Sequence, residues 1–174
     1  MTMKRPRERS RGRFRLRTMR GRPLTDQERQ RLSPGLIAAL DEAGATPLIV
    51  PAAAWLARLT FVWRGHVPIL TRGRRIYWPG AATDFSQAPH AMATLQHELQ
   101  HVLDFSTGRL SALGYLLNPK NWTYRLPDDW DWRHLGAEQR AVLAERLWRA
   151  EQELSHDLAA VRDAIPWAKD RSEV

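Results

Sequence analysis

The residues best suited to chemistry form one short run, His97-Glu98-Leu99-Gln100-His101. On a helix, residues four apart lie on the same face, so the imidazoles of His97 and His101 can reach one metal ion. Glu98 points in a neighbouring direction, where its carboxylate would meet a water bound to that ion rather than the ion itself. Because zinc lowers the pKa of such a water to about 7, the pattern predicts peptide-bond hydrolysis with Glu98 as the general base.

This pattern is rare by chance. With six histidines among 174 residues, it is expected on the order of 0.01 times per chain. Its neighbours Leu95, Leu99, Val102 and Leu103 are apolar, as a helix buried beside a cleft requires. The alternative is a helix that carries two ordinary histidines. The pattern therefore favours a zinc site and Zn²⁺ as the cofactor.

The elements that must position this motif can be predicted from residue patterns. A helix over about 90–106, ended by Gly108, carries the motif. Before it, β-branched and aromatic residues at 59–63, 67–70 and 75–78 predict a small antiparallel sheet with at least one hairpin. After it, a second long helix is predicted from Ala137 to Pro166, with one apolar face formed by Leu143, Leu147, Leu154, Leu158, Val161 and Ile165. The expected fold class is α+β.

Shorter signals lie between the N-terminus and the sheet. Thr25 and Glu28 have the spacing of a capping box, which predicts the start of a short helix. Pro34 begins a second helix that runs to Gly44. A short strand is expected over 47–50, and an alanine-rich helix over 51–59.

The positive charge of the chain is concentrated at its N-terminus. Residues 1–22 carry ten Lys and Arg side chains against one acid, Glu8, whereas the remaining residues have a net charge of −1. Such a segment cannot bury enough apolar surface to fold, so we expect a disordered Arg-rich arm over 1–22 and one domain over 23–174. Residues 4–22 could bind nucleic acid or an anionic surface. The alternatives are a solvated arm, or an extension upstream of a true start at Met19.

Composition excludes several classes of protein. The chain has no cysteine, which excludes a disulfide scaffold, a thiolate metal site and a cysteine nucleophile. No apolar run approaches the length of a membrane-spanning helix, and no apolar stretch follows the basic N-terminus as in a secretory signal. The expected location is the cytoplasm, with export by a route that needs no signal peptide as the alternative.

The segment from Ile69 to Asp104 resembles the zincin metallopeptidases. It has the strand Arg75-Ile76-Tyr77-Trp78-Pro79, a loop with Asp84-Phe85, and the motif helix, and is similar to a minimal peptidase-like domain associated with bacterial contractile injection systems. With Gly21-Arg22-Pro23-Leu24-Thr25 and Gly136-Ala137-Glu138-Gln139-Arg140-Ala141, the chain over about 20–150 is most similar to small bacterial proteins labelled "Vgr-related". The resemblance implies a minimal zincin-like domain with a zinc site, and supplies no substrate.

A catalytic zinc needs a third protein ligand. The metzincin pattern would have Gly at position 104 and His at position 107, but this chain has Asp104 and Thr107, which excludes that class. In the glutamate zincins the third ligand is a glutamate on a later helix, a placement that Glu138 matches. A helical wheel puts Glu138 nearly opposite the leucine face, so His134, and Glu145 or another acid, stay open as alternatives. Glu138 could also be a first-turn acid favoured by the helix dipole.

Two tyrosines could assist the reaction. Tyr124, our candidate catalytic residue, or Tyr115 could donate a hydrogen bond to an oxyanion opposite the zinc. The alternative for both is packing within an aromatic cluster. Asp104, one turn beyond His101, could support a ligand or be a solvated acid.

Three functions of different classes follow from these features. The first is a zinc metallopeptidase acting on a peptide or protein. The second is a non-catalytic accessory or adaptor protein of a secretion or injection machine, with secretion-system components as partners and a structural or vestigial zinc site. The third is nucleic-acid binding through the arm, which the near-neutral body makes the weakest. The intact Glu98 favours the first, because a structural site has no use for a base.

Overall fold

A computed structural model of the chain describes residues 21–51, 69–152 and 158–169. Within these ranges six helices, three strands and two 3₁₀ turns form an α+β fold. The helices are α1 (Asp26–Arg31), α2 (Pro34–Glu42), α3 (Pro89–Ser106), α4 (Ala112–Leu117), α5 (Ala137–Glu151) and α6 (Leu158–Ala164). The strands are β1 (Leu48–Pro51), β2 (Leu70–Arg72) and β3 (Arg75–Trp78), and the 3₁₀ turns are Pro119–Trp122 and Pro166–Ala168.

The sheet is mixed rather than antiparallel as predicted. Its order is β1-β3-β2, in which β2 and β3 form an antiparallel hairpin and β1 pairs with β3 in parallel. The hairpin turns at Gly73, whose φ of +58° suits glycine. A parallel pair needs a connection of roughly a dozen residues or more, and the chain over 52–74 is long enough to provide it. Pro51, the first residue of the predicted helix over 51–59, belongs to β1, and the rest of that helix and the strand predicted over 59–63 lie outside the described residues.

The motif helix α3 is confirmed with nearly the predicted bounds. Pro89 occupies its first turn, where a missing amide proton is harmless, and Gly108 follows its end with φ of +74°. The main core surrounds α3 with side chains from α2, the sheet and α5. Its members include Leu36, Leu40, Ile49, Ile76, Leu95, Leu99, Val102 and Trp148.

The second long helix is not continuous. Helix α5 ends at Glu151, α6 is a separate helix, and residues 153–157 lie outside the described ranges. Leu143 and Val161 belong to one buried cluster, together with Leu147 and Ile165. In one straight helix Leu143 and Val161 would lie about 27 Å apart, so this cluster requires the chain to turn back between them.

The capping box at α1 is confirmed, and it extends into a buried network. The Thr25 hydroxyl accepts a hydrogen bond from the Glu28 amide, and the fully buried Glu28 carboxylate accepts from the Thr25 amide. The same carboxylate accepts from the Arg22 guanidinium at 2.7 and 2.8 Å and from the Phe85 amide at 2.9 Å. Burial alone would raise the pKa of Glu28, but the Arg22 cation and these amide donors lower it.

Arg22 is therefore held against the folded residues by its side chain. Its backbone also pairs with Ile49 beside β1, through hydrogen bonds in both directions. Residues 1–20 lie outside the described ranges. No helix in the described ranges combines the length and the hydropathy that crossing a membrane requires.

The substitution Glu28→Gln should lower the free energy of unfolding by about 2–4 kcal/mol at pH 7, because it removes the buried charge that holds Arg22 and two amides. The pKa of Glu28 is lower in the folded than in the unfolded chain. Glu28 therefore contributes fully to the free energy of unfolding when the pH is above 4.5, the ordinary pKa of a glutamate. This contribution is lost as the pH falls through the lower pKa that Glu28 has in the folded chain. Urea unfolding should show that the free energies of unfolding of the wild type and the variant converge as the pH falls below about 4.5.

Asp41→Asn is the matched control, since Asp41 pairs with Arg29 at the exposed surface. It should cost less than about 1 kcal/mol. Equal losses for the two substitutions would contradict the role given to Glu28.

Candidate metal centre

Three largely buried side chains from two helices meet in one cluster. Helix α3 presents His97 and His101 one turn apart, and the first turn of α5 presents Glu138. The Glu138 Oε2 atom lies 3.2 Å from the His97 Nε2 atom and 3.4 Å from the His101 Nε2 atom. One candidate ligand atom from each of the three residues lies within 4.8 Å of the other two. These groups can hold one metal ion.

Helix α5 has two buried faces, and one of them packs against α3. Leu143 belongs to the buried cluster that α5 shares with α6, whereas Trp148 belongs to the main core around α3. Glu138 lies on the same side of the helix as Trp148, together with the fully buried alanines Ala137, Ala141 and Ala144. Small side chains let two helices approach closely. The mismatch of Glu138 with the leucine face therefore reflects a second buried face.

The start of α5 is fixed by close packing on the 3₁₀ turn Pro119–Trp122. A Cβ at Gly136 would collide with the carbonyl oxygen of Lys120, so a larger residue would displace this helix end. The Ala137 amide donates to the Asn121 side chain, and the Gly136 amide donates to the Gln139 side chain. These contacts set the position from which Glu138 reaches α3.

A buried ion pair joins the same two helices one turn beyond the cluster. Asp104 on α3 accepts hydrogen bonds from Arg140 on α5 at 2.8 and 2.9 Å, and from Gln100 at 2.8 Å. Asp104 is buried, and its oxygens are taken by these donors rather than by an imidazole. It is therefore not the solvated acid that the sequence allowed, and it acts by holding α3 against α5.

Negative charge surrounds His97. Its Nε2 atom faces Glu138, and its Nδ1 atom lies 3.5 Å from Glu145 Oε2. Burial alone would lower the pKa of His97, but the carboxylates of Glu138, Glu145 and Glu98 outweigh it and raise the pKa to about 9. The cluster therefore favours a cation, and Glu145 can fix the orientation of His97 from the side away from Glu138.

The carboxylate of Glu138 is held by Tyr115 on α4. The Tyr115 hydroxyl donates to Glu138 Oε1 at 2.6 Å, which leaves Oε2 facing the two histidines. Burial opposes ionisation of Glu138, yet the donors on His101, His97 and Tyr115 lower its pKa well below the usual range. Burial and the Glu138 charge raise the pKa of Tyr115, so its hydroxyl keeps its proton and remains a donor.

Glu98 lies beside the cluster with its own partner. The hydroxyl of Thr71 on β2 donates to Glu98 Oε2 at 2.7 Å, so the sheet orients this carboxylate. Glu98, His97, His101 and Glu138 all line one cleft of about 790 Å³ between β2, α3 and α4. We call this the site cleft. It gives a ligand direct access to all four residues.

The other candidate residues, Tyr124 and His134, lie in different parts of the structure. Tyr124 lines the site cleft, and its ring lies nearly parallel to that of His97 with the centroids 6.3 Å apart. His134 is exposed and pairs with Asp131, away from the cluster. His101 Nδ1 is buried without a hydrogen-bond partner within the described ranges. Two other histidines, at positions 66 and 156, lie outside those ranges.

Sequence patterns alone do not assign these roles to Glu145 and Thr71. Glu145 lies seven residues after Glu138, so both project from one side of α5, and this spacing was the available signal. Thr71 carries no such signal, since its contact with Glu98 depends on how the hairpin packs against α3.

Comparisons with protein-family models, with curated proteins and with solved structures found no match to this chain.

If this cluster is a metal site, the protein should bind one divalent ion per chain, and His101→Ala or Glu138→Ala should remove that ion. Each change deletes one of three ligands, and the remaining two cannot close a site. Titration with Zn²⁺ or Co²⁺ and elemental analysis measure the stoichiometry. His134→Ala is the control and should bind normally, because His134 lies outside the cluster. Wild-type protein that takes up neither metal would contradict this arrangement.

The outer partners should have a smaller effect than the ligands. Tyr115→Phe and Glu145→Gln each leave the three candidate ligands in place but remove a group that orients one of them, so metal affinity should fall by about 10–100-fold. Competition with a chelator of known affinity measures the loss. Affinities equal to that of the wild type would show that Tyr115 and Glu145 only pack beside the cluster.

Proposed function

We propose that the protein is a zinc-dependent metallopeptidase with a zincin-like fold, in which His97, His101 and Glu138 bind the metal and Glu98 is the general base. The observation that carries the proposal is the placement of Glu98 in the same cleft as the His-His-Glu cluster. A purely structural site has its coordination filled by protein and has no need for a further carboxylate beside it.

The separations in the cluster support zinc. Two ligands of a tetrahedral zinc, each about 2.0–2.2 Å from the ion, lie about 3.3–3.6 Å apart. The separations of 3.2 and 3.4 Å between Glu138 Oε2 and the Nε2 atoms of His97 and His101 are close to this range. Two histidines and a glutamate are also a donor set that catalytic zinc uses, with its fourth position open to water or substrate.

When bound, zinc supplies an acidified water and polarises the carbonyl of the substrate. Glu98 then accepts a proton from the attacking water and returns it to the leaving amine, so that the carboxylate ends the cycle ionised. Thr71 holds Glu98 in position throughout. Tyr124, which lines the cleft beside His97, is suited to donate a hydrogen bond to the developing oxyanion.

The test is to compare the wild type with Glu98→Gln. The variant should keep its zinc, because Glu98 is not a ligand, and should lose about 10²–10⁴-fold in the rate of peptide cleavage. Mass spectrometry of a digested peptide library measures cleavage, and elemental analysis measures zinc. Equal cleavage by both proteins would mean that the base is misassigned. Zinc-loaded protein that cleaves nothing would instead favour the accessory-protein alternative.

A further inference from the structure

Large apolar side chains are exposed at the site cleft. Within the described ranges six such side chains are exposed, and four of them, Leu70, Leu116, Trp122 and Tyr124, line this cleft. Exposed apolar side chains that gather at one concave site mark a binding surface for an apolar ligand group. The concentration of these residues therefore indicates what the cleft accepts.

The apolar residues that line the cleft come from two parts of the fold, which we call its two walls. One wall comes from the edge of the sheet, at Ile69 and Leu70. The other comes from the end of α3, the connection that follows it, and α4 with its following turn, and it contains Phe105, Leu110, Leu116 and Trp122. Beyond the cluster and Glu98, the only charged residue that lines the cleft in the described part of the chain is Arg72.

The second wall is fixed relative to the cluster. The indole nitrogen of Trp122 donates to the backbone oxygen of Tyr115 at 2.6 Å, and the hydroxyl of Tyr115 donates to Glu138. Leu116 follows Tyr115 in the same helix. The apolar wall and a candidate metal ligand are therefore connected through one residue, which keeps a bound apolar group at a constant distance from the reacting atoms.

We propose that the site cleft selects extended peptide segments with a large apolar side chain, of the size of leucine or phenylalanine, beside the bond to be cleaved. This inference rests on the proposed peptidase function and names its substrate class. The side chain lies between Leu70 and the wall formed by Leu116 and Trp122. Removing such a side chain from water provides the preference for it over alanine.

Helix α4 offers a matched pair of variants. Leu116 and Leu113 lie in the same helix and are 63% and 65% exposed, but only Leu116 lines the site cleft. Leu116→Asn and Leu113→Asn therefore make the same chemical change at the same exposure. Both changes should leave the fold intact, which circular dichroism can check.

The experiment measures peptide binding to zinc-loaded full-length protein carrying Glu98→Gln, so that it does not depend on turnover. The probes are blocked hexapeptides of glycine and alanine in which one central position is Ala, Leu or Phe. Calorimetry should give the Leu and Phe peptides an affinity on the order of tenfold or more above that of the Ala peptide. Adding Leu116→Asn should remove most of this preference, whereas adding Leu113→Asn should keep it.

Equal affinities for the three peptides, or no measurable binding of any of them, would overturn the inference. Equal loss of preference in the two asparagine variants would overturn it as well, because the effect would then not depend on the cleft. A failure of the peptidase proposal is distinguishable, since it would appear as absent cleavage by wild-type protein whatever the binding preference.

Discussion

The packing of α5 across α3 is the constraint on which the candidate site depends. Helix α3 alone offers two imidazoles from one turn, and the carboxylate that completes the cluster comes from a residue about 40 positions later. The buried Asp104–Arg140 pair fixes the two helices relative to each other, and the alanine face of α5 lets them approach. Gly136 allows the 3₁₀ turn to pack against the first turn of α5.

This packing also concentrates charge of one sign. Glu98, Glu138 and Glu145 lie around two largely buried imidazoles, and Glu145 is also paired with Arg149 at 2.7 Å. The raised pKa of His97, about 9, is the response of the cluster to that charge, because a protonated imidazole supplies a cation. Groups arranged in this way lower the stability of the fold locally, and functional sites are where such arrangements are found. The two apolar clusters and the Glu28 network provide stability elsewhere.

Features set by local rules could be predicted from the sequence, and features set by distant packing could not. The Thr25–Glu28 capping box, the bounds of α3 and the β2–β3 hairpin all follow from residue types a few positions apart. The parallel pairing of β1 and the break after α5 depend on which surfaces meet in the folded chain. Glu138 shows the limit clearly. The apolar stripe of leucines identifies only one buried face of α5, but this helix has two. A helical wheel puts Glu138 opposite the leucines, and that side of the helix is also buried.

Anomalous X-ray scattering from zinc-soaked crystals can show whether His97, His101 and Glu138 together bind one zinc ion. Data collected on the two sides of the zinc absorption edge locate the metal without reference to activity or to any resemblance. We expect one peak about 2.0–2.2 Å from Nε2 of His97, Nε2 of His101 and a carboxylate oxygen of Glu138. The absence of a peak in this cluster at saturating zinc, or a peak bound only by surface side chains such as His134, would contradict this expectation.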